Sequence, residues 1–128
     1  MVLVDTSVWI EVFRKNGLEL RSVVDFGDVV TCLPVVQEVL QGFRDEAAFR
    51  KARAAMYNLP MVDSPLPRDV FDDAVELYRV ARRAGITVRS SVDCLIAACA
   101  TRHGLEVLHR DRDYPNLAKV SALRQRAI

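Results

Sequence analysis

Acidic residues at four separated places in the 128-residue chain are the side chains best suited to chemistry. Each follows a predicted strand or lies near the start of a predicted helix, where carboxylates can meet at one edge of a parallel sheet. Clustered carboxylates raise one another's pKa, so a shared site is stable mainly when divalent cations neutralise it. Oxygen ligands without paired cysteines or histidines favour Mg²⁺ or Mn²⁺ over zinc. The acids concerned are Asp5, Glu38, Asp93, and Asp111 with Asp113.

Asp5 directly follows the first predicted strand. Residues Val2 to Val4 form a continuous apolar run, which is typical of a strand that is buried on both faces. In an open α/β sheet, ligands bind outside the carboxyl ends of the strands, where Asp5 then lies. Thr6 and Ser7 are expected to cap a helix that begins near Val8. The alternative is that Asp5 is only a capping residue in this strand-to-helix turn.

Asp93 is the most informative acid because it lies in an apolar segment. Residues 92–100 predict a buried helix, capped by Ser90 or Ser91. An ionised group in such a segment needs a partner or a metal. The alternative is that Asp93 occupies the second or third helical position and only accepts backbone N–H groups. Glu38, in the first turns of its own helix, is open to the same explanation because acids are common there.

The elements that must position these acids alternate between strands and helices, which predicts an α/β fold with a parallel sheet wrapped on both faces. No internal repeat or linker is evident, so we expect a single domain over residues 1–128. The predicted strands are 2–4, 28–33, 61–62, 105–108 and a short one around 120. The predicted helices are 8–15, 18–26, 35–42, 45–59, 68–84 and 91–103. Residues 109–115 are expected to form a polar loop, and a basic tail follows the last strand.

Composition narrows the class of protein. Hydrophobic residues make up 51% of the chain, which is enough for a sizeable core. No apolar run approaches the roughly 20 residues of a membrane span, and the first residues lack the features of a secretory signal. Three cysteines, an odd number without CxxC spacing, favour free thiols in a reducing compartment. We therefore expect a soluble cytoplasmic protein without a membrane partner.

Charge is unevenly distributed although the net charge is only +1. Residues 1–78 carry 8 Lys and Arg against 13 Asp and Glu, whereas residues 79–128 carry 10 against 4. A basic second half can face a phosphate backbone, although solvated helix faces explain any single arginine somewhat better. Arg110 and Arg112 flank the last acids and are candidates for contacts with phosphates, or for ion pairs with those acids.

Four blocks in order resemble the PIN-domain ribonucleases, specifically the VapC toxins of bacterial toxin–antitoxin pairs. The blocks are Val4-Asp5-Thr6-Ser7-Val8-Trp9, Gln37-Glu38-Val39-Leu40-Gln41-Gly42, Val92-Asp93-Cys94-Leu95-Ile96-Ala97-Ala98 and Leu108-His109-Arg110-Asp111-Arg112-Asp113-Tyr114. This resemblance covers the full length and implies a three-layer α/β/α sandwich with a short central parallel sheet, a single PIN-like nuclease domain.

The same resemblance implies roles for the acids. The catalytic, metal-binding set would be Asp5, Glu38, Asp93 and Asp111, with Asp113 as an additional ligand or a substitute. Thr6, or Ser7, would support the site by hydrogen bonding. The implied cofactor is Mg²⁺ or Mn²⁺, with one ion or two, and no histidine stands out as a general acid or base.

The resemblance also implies a function: an endoribonuclease toxin that hydrolyses phosphodiester bonds in RNA and is neutralised by a cognate antitoxin. Homodimers and a higher assembly with the antitoxin are expected. An apolar groove would receive the antitoxin, although core packing is the favoured explanation of its candidate residues: Val12, Phe13, Leu40, Phe43 and Met56. Two other functions stay open, namely a PIN nuclease of RNA processing or DNA cleavage, and a catalytically silent PIN-like module that only binds a partner or RNA.

Overall fold

The fold is built on five short strands: β1 (Val2–Val4), β2 (Val29–Cys32), β3 (Met61–Val62), β4 (Glu106–His109) and β5 (Arg124–Ala127). The computed structural model describes all residues from 1 to 128. Six α-helices flank the sheet: α1 (Thr6–Phe13), α2 (Leu33–Gln41), α3 (Glu46–Tyr57), α4 (Arg68–Arg83), α5 (Ser91–Arg102) and α6 (Asp113–Ala118). The strand order is β3-β2-β1-β4-β5, and all neighbouring strands are parallel. The predicted α/β/α architecture is confirmed.

The order in which strands are added to the sheet reverses at its centre. From β1 the chain moves to β2 and β3 on one side, and it then returns to β4 and β5 on the other. Leu3 accordingly pairs with Val30 on one side and with Val107 on the other. The Asp5 N–H extends this ladder by donating to the Leu108 carbonyl at 2.9 Å. Such a switch point is where open α/β sheets bind ligands, and Asp5 lies at its carboxyl edge.

Apolar strands and one apolar helix form the core. A single cluster of 29 buried hydrophobic residues joins the sheet to its helices. Helix α5 contributes more buried residues than any other helix, as expected from its apolar sequence. The three cysteines are free and buried, as predicted. Met56 is fully buried, so it belongs to the core and cannot line a surface groove. No helix has the length and apolar character that crossing a bilayer requires.

The predicted polar loop over residues 109–115 is confirmed only for residues 110–112. His109 is the last residue of β4, and helix α6 begins at Asp113 with Pro115 inside its first turn. Proline is tolerated there because the N–H groups of a first helical turn have no intrahelical acceptor. Tyr114 and Leu117 are fully buried on the inner face of this helix. The segment is therefore part of the packed domain.

Two other predicted elements differ from the structure. Residues 18–26 were expected to be helical, but they contain only the 3₁₀ turn Leu20–Ser22 and the start of a second, Phe26–Asp28. The last strand is β5, rather than a strand near residue 120 with a basic tail beyond it. Its arginines are exposed on an edge strand, and Arg126 pairs with Glu106 at 3.1 Å. Charged edge strands lack the apolar pattern by which strands are recognised.

Candidate metal centre and active site

Asp5 caps the helix that follows it. Its Oδ2 accepts hydrogen bonds from the Ser7 N–H at 3.0 Å and from the Ser7 hydroxyl at 2.5 Å. Helix α1 begins at Thr6, so the prediction that Thr6 and Ser7 cap a helix starting near Val8 is wrong. A carboxylate satisfies the free N–H groups of a first turn as well as a hydroxyl does. The two hydroxyls are thereby available for other contacts.

These hydroxyls connect the first turn of α1 to two other segments. The Thr6 hydroxyl donates to Glu38 Oε1 at 2.9 Å, which holds the side chain of α2 beside β1. The Ser7 hydroxyl oxygen accepts the Arg110 N–H at 2.9 Å, which anchors the loop after β4. Adjacent hydroxyls of one turn therefore orient two acids, Glu38 and Asp5, at the same edge of the sheet.

Three further acids form a tight cluster at this edge. One carboxylate oxygen from each of Asp93, Asp111 and Asp113 lies within 4.8 Å of the other two. Asp93 and Asp113 are buried, with 5% and 2% of their surface exposed. The Asp93 Oδ2 atom is buried and has no hydrogen-bond partner. A buried carboxylate oxygen without a partner is unfavourable unless a proton or a cation satisfies it.

Repulsion and burial change the proton affinity of Asp93. Burial, the hydrogen bond that a protonated Asp93 can make to Asp113, and the charges of Asp5, Asp111 and Asp113 raise the pKa of Asp93 to about 9. In the metal-free protein this carboxyl therefore holds a proton at neutral pH. A divalent ion that binds to the cluster would replace that proton, since both neutralise the same oxygens.

Glu38 belongs to the same electrostatic field. Burial raises its pKa, the hydrogen bond from Thr6 lowers it, and the charges of Asp5 and Asp111 raise it again, with a net upward shift. Glu38 is half-buried. The charges that act on it are those of Asp5, directly after β1, and of Asp111, in the loop after β4. Asp5, Glu38, Asp93, Asp111 and Asp113 thus lie at one edge of the sheet, which the sequence analysis required of a shared site.

Tyr114 is a site residue that the sequence analysis missed. Its hydroxyl donates to Asp5 Oδ1 at 2.5 Å and lies 3.4 Å from Asp93 Oδ1. The residue fell in the predicted loop, where no burial was expected. The apolar spacing of Tyr114, Leu117 and Ala118 was the signal that could have revealed a short amphipathic helix.

Arg89 is the second missed residue. It lies in the connection between α4 and α5, and its Nη2 is 2.9 Å from Asp111 Oδ1. Its Nε is 3.5 Å from Asp113 Oδ1, and its backbone N–H donates to Asp113 Oδ2 at 3.2 Å. The guanidinium therefore partly neutralises the acidic cluster. Nothing in the local sequence pattern distinguishes Arg89 from other surface arginines.

His109 is a buried residue that orients the backbone of the site at Asp111. It is 1% exposed, and its Nδ1 accepts the Asp111 N–H at 3.1 Å. Its Nε2 lies 2.6 Å from Gln125 Oε1, so the ring proton is on Nε2. The imidazole is thus buried between β4 and β5 and orients the backbone at Asp111.

The two arginines proposed for phosphate contacts have different surroundings. Arg110 is exposed and lies 3.6 Å from the Glu11 carboxylate, rather than beside the acids of the cluster. Arg112 is exposed and forms no ion pair. The positive partner of Asp111 and Asp113 is Arg89, so the alternative in which Arg110 or Arg112 pairs with those acids is wrong.

The residues present fit a hard divalent cation. All five acids offer oxygen ligands, and no cysteine or histidine side chain joins their cluster. The buried Asp93 Oδ2, which has no hydrogen-bond partner, is an oxygen that a cation could satisfy. A cluster of this kind, at the switch point of a parallel sheet, can bind a metal against which a phosphodiester is positioned.

The family model of the PIN domain matches residues 2–120. The chain belongs to the PIN-domain family. This PIN domain is 39% identical over 129 aligned residues to ribonuclease VapC11 of Mycobacterium tuberculosis, and the alignment covers 96% of each protein. The resemblance to VapC-type PIN-domain ribonucleases is therefore confirmed.

Solved structures agree with this assignment at the level of the fold. VapBC2 from Rickettsia felis, bound to a DNA fragment from its promoter, contains a chain that matches with a TM-score of 0.78 and 13% identity, over 100% of this chain and 99% of the other. VapBC-5 from Mycobacterium tuberculosis, of the VapBC family of toxin–antitoxin systems, matches with a TM-score of 0.74 and 19% identity, over 98% and 97%. This PIN domain shares their α/β/α fold.

Proposed function

We propose that this PIN domain is an endoribonuclease toxin that hydrolyses phosphodiester bonds in RNA with the help of Mg²⁺ or Mn²⁺. One observation carries the proposal: Asp93, Asp111 and Asp113 converge at the switch point of the sheet, and the buried Asp93 Oδ2 has no partner. The 39% identity to a ribonuclease over nearly the whole chain supports RNA as the substrate. RNA is anionic, so a site rich in carboxylates needs cations before it can receive a phosphate.

We assign the ligands by position. Asp93, Asp111 and Asp113 would hold one divalent ion, and Asp5 with Glu38 would complete the site or contribute to a second ion. The bound ion would supply Lewis acidity toward the phosphodiester and activation of water. Asp5 is ready for such a role because each of its oxygens is already oriented, Oδ1 by Tyr114 and Oδ2 by Ser7. Preorganised ligands need little rearrangement when the ion binds.

The residues around the acids have supporting roles in this proposal. Thr6 orients Glu38, and Ser7 joins Asp5 to the loop that carries Asp111. Tyr114 separates Asp5 from Asp93 with a neutral donor, which lowers their repulsion. Arg110 and Arg112 flank Asp111 in the sequence, are exposed, and are available to RNA phosphates.

We further propose that an antitoxin binds across an apolar groove between α1 and α2. The groove has a volume of about 280 Å³, and Glu38 forms part of its wall. Ile10, Phe13 and Phe43 line it, with the rings of the two phenylalanines 5.5 Å apart. An apolar segment seated there would cover Glu38 and restrict access to the acids. A homodimer of the toxin, and a larger assembly with the antitoxin, complete the proposal and are measurable by light scattering.

The central experiment is cleavage of total cellular RNA by the purified, antitoxin-free protein. Reactions with Mg²⁺, with Mn²⁺ and with EDTA are compared, and the cut ends are mapped by sequencing. Asp93→Asn and Asp5→Asn are expected to abolish cleavage and to relieve growth arrest on expression, because each removes a proposed ligand. Asp72→Asn is the matched control, since Asp72 is an exposed acid on the outer face of α4.

The results of these experiments distinguish the proposed ribonuclease toxin from the two other functions. Full activity of purified Asp93→Asn or Asp5→Asn would contradict the proposed site. Cleavage of DNA in preference to RNA, or processing of one precursor without growth arrest, would favour a PIN nuclease of another pathway. Calorimetry with Mn²⁺ that gives only weak surface association, together with no cleavage, would identify a silent binding module.

A further inference from the structure

A polar cavity of about 480 Å³ lies beside the acidic cluster. It is bounded by the connection between α4 and α5, which contributes Thr87 and Arg89, and by the start of α6, which contributes Arg112, Asp113 and Asn116. Asp113 belongs to both the cavity wall and the cluster. The cavity is large enough for part of a nucleotide, since small-molecule sites commonly measure about 300–1,000 Å³. Its position makes it the immediate neighbour of the proposed metal site.

The charges that line the cavity favour an anion. Two guanidinium groups, Arg89 and Arg112, are opposed there by a single carboxylate, Asp113. Arg112 has no acidic partner and is exposed. The side chains of Thr87 and Asn116 add neutral hydrogen-bonding groups. Guanidinium pairs are the groups that proteins prefer for phosphate, because their N–H donors match its oxygens.

Arg89 forms ion pairs with two acids of the cluster, Asp111 and Asp113. Its Nη2 contacts Asp111 Oδ1 at 2.9 Å and its Nε lies 3.5 Å from Asp113 Oδ1, although 52% of the side chain is exposed. These carboxylates belong to the cluster that would hold a divalent ion. A guanidinium and a divalent ion both neutralise the same oxygens, so the ion weakens the attraction that holds Arg89. The long, half-exposed side chain already borders the cavity, and its guanidinium can then turn away from the acids toward a phosphate there.

We propose that this cavity is a phosphate-binding subsite for RNA, and that Asp111 and Asp113 hold its arginine, Arg89, until a divalent ion takes its place. The inference rests on the proposed ribonuclease function, to which it adds the position of a neighbouring phosphate. Arg112 is available to a phosphate at all times. Arg89 becomes available only when a divalent ion occupies the acids that hold it. Metal binding and RNA binding are then coupled, and by linkage each increases the affinity for the other by the same factor.

The first experiment measures RNA affinity by fluorescence anisotropy. The probe is a fluorescein-labelled single-stranded RNA of about 12 nucleotides. The protein is titrated into this RNA in EDTA and, separately, in Ca²⁺. A gel establishes that the RNA is intact after each titration. For the wild-type protein we expect Ca²⁺ to lower the Kd by about tenfold or more. Arg112→Gln should weaken binding by about 5- to 10-fold in both conditions, and should reduce the slope of log K against log salt by about 0.7, the value for one phosphate contact on a single strand.

Arg89→Gln tests whether Arg89 becomes available only when the ion is bound. We expect this variant to lose less RNA affinity in EDTA, where Arg89 is held by the acids, than in Ca²⁺, so that the gain from Ca²⁺ falls to about threefold or less. Arg50→Gln is the matched control, because Arg50 is an exposed arginine of α3 whose only ion pair is with Glu46. Thermal melts of all variants establish that each is folded.

Calorimetry with Mn²⁺ alone provides a readout that involves neither RNA nor activity. Removing the competing guanidinium should lower the Kd for Mn²⁺ by about 3- to 10-fold in Arg89→Gln, whereas Arg89→Lys should give an intermediate value. Weaker Mn²⁺ binding by Arg89→Gln would mean that Arg89 positions the ligands, and would overturn the inference. Full retention of the metal–RNA coupling in Arg89→Gln, or an unchanged salt slope in Arg112→Gln, would also overturn it.

Failure of this inference is distinguishable from failure of the proposed function. A wild-type protein that cleaves RNA with Mn²⁺ while both arginine variants bind RNA and metal normally would retain the ribonuclease function and eliminate the subsite. A wild-type protein that cleaves RNA in no cation would remove the function on which the inference rests, whatever the arginine variants bind.

Discussion

The Tyr114 hydroxyl donates a 2.5 Å hydrogen bond to Asp5 Oδ1 and lies 3.4 Å from Asp93 Oδ1. Burial, followed by the charges of Asp5 and Asp93, raises the pKa of Tyr114 well above its usual value. The phenol therefore remains a neutral donor wherever the domain is folded. Helix α6 in this way places a neutral hydroxyl between Asp5, the residue that follows β1, and Asp93 of α5.

Replacing this donor should destabilise the metal-free protein. Tyr114→Phe leaves Asp5 Oδ1 buried without its hydrogen bond, and we expect the free energy of unfolding in EDTA to fall by about 1–3 kcal/mol. Urea denaturation measures the difference. Tyr57→Phe is the control, because Tyr57 is 49% exposed and should change stability little. Equal stability of the Tyr114→Phe and wild-type proteins would show that the hydrogen bond contributes nothing.

The stability of the metal-free protein should fall as pH rises. The pKa of Asp93 is about 9 in the folded state and near its ordinary value, about 4, in the unfolded chain. Between these values the folded state holds one more proton, so the free energy of unfolding decreases with pH, by at most about 1.4 kcal/mol per pH unit. Urea titrations in EDTA from about pH 5 to about pH 8 measure the slope.

The Asn variant isolates the contribution of this carboxyl. Asp93→Asn has no proton to lose, so its stability in EDTA should vary less with pH and exceed that of the wild type at the alkaline end. Asp72→Asn, at an exposed position, should retain the wild-type slope. A wild-type stability that rises between about pH 5 and about pH 8 would contradict a raised pKa for Asp93.

Thr6 should affect the pH dependence of metal binding through its hydrogen bond to Glu38. The hydrogen bond from Thr6 lowers the pKa of Glu38 against the upward effects of burial and of the neighbouring acids. Thr6→Val removes it, so Glu38 should protonate at a higher pH and the pH at which Mn²⁺ affinity is half-lost should move upward. Calorimetry across a pH series measures this shift. Thr6→Ser retains the hydroxyl, and a shift of equal size in that variant would assign the effect to packing.

Divalent ions should stabilise the domain. An ion that binds only the folded state raises the free energy of unfolding by about 2.7 kcal/mol when its concentration is 100 times its Kd. We expect melting temperature to rise on addition of Mg²⁺ or Mn²⁺ and to return to its original value with excess EDTA. Asp93→Asn should show little of this effect, and a full metal-dependent shift in that variant would remove Asp93 from the ligand set.

Local sequence was sufficient for most of the architecture. The apolar run Val2–Val4 and the apolar helix α5 are buried as predicted, because a continuous apolar segment can be satisfied only inside the core. Helices α3 and α4 follow their apolar periodicity and end near Pro60 and Gly85. The two elements that were not predicted, α6 and β5, lack such a pattern. Helix α6 has a proline in its first turn, and β5 is an exposed edge strand with charged side chains.

The sequence by itself determined that carboxylates would follow β1 and β4. Both the apolar strands and the acids that come after them can be identified from neighbouring residues alone. Only the tertiary structure decided what surrounds them. Tyr114 reaches Asp5 across 109 positions, and Arg89 reaches Asp111 across 22. Contacts between distant segments depend on how helices pack over the sheet, and no periodicity within a segment encodes them.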